Sequence, residues 1–190
     1  MINKIKKIDF KKIDKNKTYI YSAGFNVDKY MKGKSRLYEE LEDLKILIKK
    51  KVKIVLISHQ GSFNKKNCIQ LDFLKSFLVS KLKTKIIFLK NKKKAFDKNN
   101  LKLINKGEIL VLPNIRFFKG EELNSKLLAE KMSRLGNYVI IGGFSKAHRK
   151  NSSNNAILNY LPGLLSNGIY KELKLLEPWV KPKKGSILIL

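Results

Sequence analysis

Short, uninterrupted apolar runs rich in β-branched residues recur along the chain, separated by segments of helical periodicity. The runs are TYIYSAGF (18–25), VKIVLIS (52–58), TKIIFL (84–89), EILVLP (108–113), NYVIIGG (137–143) and SILIL (186–190). A strand that faces water on one side alternates apolar with polar residues, whereas strands this continuously apolar are buried on both faces. Between the first two runs, SRLYEELEDLKILIKK sets Leu37, Leu41, Leu44 and Ile48 on one stripe, with Ser35 as N-cap, acids early and lysines late. That is the pattern of an amphipathic helix. CIQLDFLKSFLVSKL repeats it through Leu71, Leu74, Leu78 and Leu82, and NSKLLAEKMSRL through Leu128, Met132 and Leu135 with Asn124 as cap. The alternation predicts an α/β class fold: a mostly parallel sheet of about six strands, with helices on both faces.

No Gly- or Pro-rich linker and no repeat divides the 190 residues, so a single domain over 1–190 is expected. The charged insert KNKKKAFDKNN (90–100) is expected to be a surface loop or short helix. Ile2, Ile5 and Ile8 in the basic start should form an apron on the sheet, in preference to a membrane-surface helix. No stretch reaches the ~18 apolar residues of a membrane span, and the first residues lack the apolar centre of a secretory signal. A soluble, cytoplasmic protein with no membrane partner is expected. A lone Cys68 and two distant histidines exclude a disulfide framework and zinc-ligand spacing, so no metal site is expected.

A formal charge of +27 asks for a polyanion, but the lysines are spread along the chain without the interleaved aromatics of a single-strand binder. Nucleic acid is the weaker partner reading. Only four of the 42 basic residues are arginines, Arg36, Arg116, Arg134 and Arg149. A planar fork for carboxylate or phosphate is the usual reason to need one.

In open α/β sheets ligands collect beyond the carboxyl ends of the strands. Asn26 follows the first run, His59 and Gly61 the second, Asn114 and Arg116 the fourth, and His148 and Arg149 the fifth, while Arg36 opens the first helix. Taken singly, such a His or Asn is a turn residue, and Arg134 is a solvent residue suited to the end of its helix. Taken together, both histidines and three arginines at strand exits or the adjacent helix start indicate a site for a small, doubly anionic ligand. No nucleophile elbow, Walker lysine loop, dinucleotide fingerprint or carboxylate pair accompanies it.

FNV, SHQG, GEILVLPNIRFFKGEE and GFSKAHR stand in an order and spacing that resembles the N-terminal domain of phosphoglycerate kinases. The corresponding family stretches are R-V-D-F-N-V-P, S-H-L-G-R, L-x-N-x-R-F-x-x-x-E-E and N-D-A-F-G-T-A-H-R, and the resemblance extends to IKKIDF and YLPGLL. It implies one Rossmann-like lobe of a hinged pair, the first binding 3-phosphoglycerate and the second magnesium-ATP or ADP. By this resemblance Asn26 touches the acid end of the substrate. Arg36 holds the carboxylate and steadies the phosphoryl group in flight, the one catalytic role carried over. His59 frames the site, and Arg116 and Arg149 grip the remote phosphate with His148 beside them. The implied chemistry is glycolytic phosphoryl transfer between an acyl phosphate and ADP, which relies on positioning and charge neutralisation.

The pattern departs at several positions. Ser22 and Gly24 replace the Arg and Asp before F-N-V, Ser62 replaces the Arg after S-H-x-G, and Pro113 the Glu before N-x-R-F. Ile141 and Gly142 replace N-D, and Asn151 stands where a His is expected. The nucleotide-binding lobe has no counterpart in the sequence, so Mg-ATP or ADP is expected only where such a lobe is present, and the 190 residues alone are not expected to be active. Three readings follow: an acceptor-binding lobe, a divergent pseudoenzyme or binding module for another phosphorylated acid or a protein partner, and a polyanion binder.

Overall fold

The computed structural model describes residues 5–30 and 35–180. Seven strands form one all-parallel sheet in the order β1-β7-β6-β2-β3-β5-β4. They are β1 (Lys6–Lys7), β2 (Thr18–Ser22), β3 (Lys53–Ile57), β4 (Ile86–Phe88), β5 (Ile109–Val111), β6 (Tyr138–Ile141) and β7 (Gly163–Leu165). The central strand β2 pairs with β3 through Ile20↔Val55 and with β6 through Ile20↔Val139.

The apolar runs of β2, β3, β5 and β6 are buried on both faces, as their composition requires, whereas in β4, at the edge of the sheet, Ile86 is buried and Ile87 and Phe88 are half-buried. Tyr19, Tyr21, Ile54 and Leu56 point into one core layer, while their neighbours Ile20, Val55 and Ile57 point into the other. Helix α1 (Ser35–Lys49) and helix α2 (Lys75–Leu82) cover the first face through Leu37, Leu41, Leu44, Leu47, Leu78 and Leu82. On the opposite face, α3 (Lys126–Ser133) contributes Leu128, Ala129 and Met132, and α5 (Asn167–Val180) contributes Ile169. A short helix, α4 (Phe144–Ala147), follows β6 directly. The result is a three-layer, Rossmann-like α/β domain.

Five of the six expected strands lie in this sheet, and the sixth, SILIL, lies outside the described residues. Two strands went unforeseen, β1 and β7, because runs of two and three residues carry no periodicity of their own; the parallel pairing Lys6↔Leu164 and Lys7↔Leu165 defines them. The start does not lie on the sheet as an apron: Lys6–Lys7 extends its edge as β1, so Ile5 packs into one core layer and Ile8 into the other; Ile2 is outside the described residues. The 90–100 insert is a surface loop running into a 3-10 helix at Lys98–Leu103, pinned by buried Ala95 and by Phe96 against Phe118.

Helix starts differ in detail from expectation. The segment expected as one helix over 68–82 begins as a 3-10 turn at Leu71–Leu74 before α2. Ser125, not Asn124, caps α3, its hydroxyl accepting from the Leu128 amide at 3.3 Å. Asn124 adopts φ 52° and its side-chain oxygen accepts from the Ala156 amide, tying the turn to a neighbouring loop.

Candidate functional site

Because every strand is parallel, the exits of β2, β3, β5 and β6 meet at one edge of the sheet. Buried Ser58 links two of them: its hydroxyl donates to Ala23 O and accepts from the Phe25 amide, each at 3.0 Å. Buried Asn114 links others. Its amide donates to Gln60 O at 2.7 Å and Ile69 O at 2.8 Å, while its oxygen accepts from the amides of Gln60 and Arg116. Asn114 therefore fixes the loop after β3 and the backbone from which Arg116 projects. Gly61, at φ 71°, turns that loop tightly; a Cβ there would lie 2.6 Å from Asn67 O.

These loops enclose an open cleft of about 460 Å³. Asn26, Gln60, Ser62, Lys65, Arg116 and Arg149 contribute to its wall, with Asp28 and Glu122 as its acids. Arg116 is buried and ion-paired through Nη1 with Glu122 Oε1, and its Nε has no hydrogen-bond partner. Arg149 is exposed. Arg36, also exposed, donates from Nη1 to the carbonyl of Asn26 at 3.2 Å, which sets the first helix against the cleft.

His59 is 5% exposed. Burial holds its imidazole well below the usual 6.5, and the charges of Lys146, Arg116, Arg149 and Arg36 act in the same direction. It is a neutral ring next to the cleft's cations, able to donate from one nitrogen and accept at the other. His148 is separated from this group: it is exposed and lines a second cavity of about 310 Å³ with Ile141, Leu165 and Asn154, a cavity that Arg149 also borders. Thus Asn26, Arg116 and Arg149 share one cleft, Arg36 and His59 flank it, and His148 faces its neighbour. Arg134 pairs with Glu130 on the surface of α3, as a solvent residue should.

Beneath the cleft lies a buried polar cluster that sequence reasoning missed. Glu40, on α1, accepts from the Tyr21 hydroxyl at 2.5 Å and from the Gly24 amide at 3.1 Å. Lys146, on α4, donates to Ser22 Oγ at 2.6 Å and to Asn154 Oδ1 at 2.8 Å. Glu121 accepts from the hydroxyl and the amide of Ser153 at 2.6 and 3.0 Å. Burial raises Glu40 to about 7 and lowers Lys146 to about 8, each partly offset by the opposite charge of the other. Burial likewise pushes Glu121 up.

The glycines at the strand exits make room for this cluster. A Cβ on Gly142 would lie 2.4 Å from Glu40 Oε2, and one on Gly24 would lie 2.7 Å from the Cα of Gly143. The signal was present in α1: Glu40 falls three residues after Leu37 and four before Leu44, on the stripe that otherwise holds leucines. At two positions where the resemblance expects aspartate, 24 and 142, glycine stands, and the Glu40 carboxylate lies against both.

The phosphoglycerate kinase family model matches residues 10–190. The chain belongs to the phosphoglycerate kinase family. It is 32% identical over 184 residues to the phosphoglycerate kinase of Pseudothermotoga lettingae, covering 91% of this chain and 45% of that protein. The phosphoglycerate kinase of Buchnera aphidicola is 33% identical over 170 residues, 82% of this chain and 40% of the relative. Phosphoglycerate kinase from Pyrococcus horikoshii superposes with a TM-score of 0.75 at 22% identity, covering 90% of this chain and 44% of that one. The chain therefore spans a little under half the length of these phosphoglycerate kinases. Among the described residues no helix is long and apolar enough to cross a membrane.

Proposed function

We propose that this chain is the acceptor-binding lobe of a phosphoglycerate-kinase-type phosphotransferase, taking a small phosphorylated carboxylic acid such as 3-phosphoglycerate. The observation that carries the reading is the convergence of Arg116, Arg149, Lys65 and Asn26 on one cleft at the carboxyl edge of a parallel sheet. Arg116 and Arg149 would hold the phosphate by forked, charge-assisted hydrogen bonds. Asn26 and Arg36 would take the carboxylate end, with Arg36 also neutralising the phosphoryl group in transfer. His59 would donate to ligand oxygen as a neutral ring. His148 would act from the adjoining cavity. Phosphoryl transfer between the acyl phosphate and ADP would require Mg-ATP or ADP on a nucleotide lobe, in this polypeptide or in another.

Titration with 3-phosphoglycerate at physiological salt, followed through the imidazole resonances of His59 and His148, tests the reading. Saturable shifts that disappear in Arg149→Ala and Arg36→Ala support it. Inert imidazoles with 3-phosphoglycerate, but saturable shifts with a different phosphorylated acid, favour the binding-module reading, to which the glycines at 24 and 142 lend weight: the carboxylate at those exits is that of Glu40, engaged with the Tyr21 hydroxyl and the Gly24 amide. A response to a short RNA that falls steeply with salt and ignores single arginines would instead favour a polyanion partner.

A further inference from the structure

Glu122 is, with Asp28, one of two acids in a cleft that also holds Lys65, Arg116 and Arg149, and among the described residues it bonds to Arg116, to Ser62 and to the Phe63 amide. One oxygen lies on Arg116 Nη1 and accepts from Ser62 Oγ at 3.1 Å; the other accepts from the Phe63 amide at 3.0 Å. A carboxylate bridging a guanidinium, a hydroxyl and a backbone amide makes the contacts a phosphate oxygen pair would make. The two partners differ in burial. Arg116 has 3% of its side chain exposed and retains a buried Nε without a partner, whereas Glu122 has 23% exposed and stands at the mouth. The arginine is fixed and incompletely satisfied; the glutamate can leave for water at little cost in desolvation.

We propose that Glu122 is a built-in occupant of the Arg116 fork, which an incoming phosphomonoester displaces. The proposal rests on the reading of the cleft as a phosphate site and adds its selection rule. A ligand must outcompete a tethered carboxylate, so a dianionic phosphate gains Arg116, Arg149 and Lys65 together, while a simple carboxylic acid exchanges like for like. Ser62 is the latch that holds the occupant in place.

Calorimetric titration of the full 190-residue chain with inorganic phosphate and with 3-phosphoglycerate tests this on the wild type, Glu122→Gln, Ser62→Ala and Arg149→Ala. Glu122→Gln removes the competing charge while its amide oxygen still accepts from the Phe63 amide, and is expected to tighten phosphate binding about tenfold. Ser62→Ala keeps the charge but loosens the latch and is expected to tighten binding about two- to threefold. A glutamate that merely positions Arg116 gives the opposite sign: both variants bind more weakly, and the proposal falls. Wild-type binding that Arg149→Ala abolishes and that Glu122→Gln leaves unchanged preserves the phosphate cleft and overturns the occupant. Binding seen only in Glu122→Gln supports the occupant most directly, and silence in all four proteins overturns the occupant and the phosphate cleft together. Should Glu122→Gln not fold, the sign of the Ser62→Ala change decides.

Discussion

The carboxyl edge of the sheet carries two sets of charges only a few residues apart in sequence, and they are built on different terms. Lys146 and Arg149 lie one turn apart, yet Lys146 is 3% exposed and bound to Ser22 and Asn154, while Arg149 stands in solvent at the cleft. Glu121 and Glu122 are adjacent, yet Glu121 is buried on Ser153 and Glu122 faces the cleft on Arg116. The inner set is fully engaged with the protein and therefore contributes to stability and its pH dependence. The outer set borders the open cleft, Arg149 in solvent and Glu122 partly exposed on Arg116. Neighbouring residues of one sign thus occupy separate environments, one inside the fold and one facing the cleft, and substitutions should sort them.

The largest stability effect should come from Glu40→Ala. It would leave the Tyr21 hydroxyl and the Gly24 amide without their acceptor, open space between Gly24 and Gly142, and remove a counter-charge of Lys146. A loss of about 3–5 kcal/mol is expected, read as a fall in the urea midpoint at unchanged slope. Gly142→Ala attacks the same carboxylate from the other side, since its Cβ would approach Glu40 Oε2 to 2.4 Å and the Tyr21 ring to 2.9 Å. Overpacking of this kind should cost about 1–3 kcal/mol. If either substitution leaves the midpoint unmoved, the inner cluster does not stabilise the fold.

The inner set also predicts the shape of the pH profile. Burial raises Glu40 from 4.5 to about 7, so the folded state retains a proton that the unfolded chain releases earlier. Its stabilising contribution is complete below about pH 4.5 and is lost as pH rises through about 7. Burial lowers Lys146 from 10.5 to about 8, so the folded state sheds this proton first, and stability is regained between about 8 and 10.5. Glu121 and Asp43, both raised by burial, reinforce the acid limb, whereas His59, held well below 6.5, opposes it as pH falls. The two principal shifts put the minimum near pH 7 to 8. Urea midpoints across both limbs should show Glu40→Gln flattening the acid limb and Lys146→Met flattening the alkaline one. A wild-type minus variant difference that is constant with pH would refute the assignment.

The same contrast accounts for what could be read in advance. Strands β2, β3, β5 and β6 were legible because residues buried on both faces write a continuous apolar run, and α1 because its leucines recur at helical spacing. The cleft arginines were legible because arginine is scarce among lysines and each falls just past a strand. Lys146 was hidden for the complementary reason: it is one lysine among many, and only the approach of the β2 and β6 exits, at Gly24 and Gly143, encloses it. Glu40 was visible as an acid on an apolar stripe, but its acceptor role depends on Tyr21, nineteen residues away across the packing of helix on sheet. The strands β1 and β7 exist through pairing with each other and with β6, a tertiary property that short local sequence does not encode. Pairwise contacts between distant segments are where sequence patterns stop carrying information.

The smallest expected stability effect is also the most discriminating. Arg149→Ala removes an exposed cation, so the urea midpoint should change by no more than about 0.5 kcal/mol equivalent. Phosphate binding should nevertheless fall about ten- to a hundredfold if Arg149 supplies the charge-assisted fork proposed for it in the cleft. Stability and affinity then move independently, the mirror image of Gly142→Ala, where stability falls and the cleft's cations remain in place. A coupled loss of both in Arg149→Ala, measured by urea titration and calorimetry on the same preparation, would mean that the arginine braces the β6 exit and that the separation of inner from outer charges is not real.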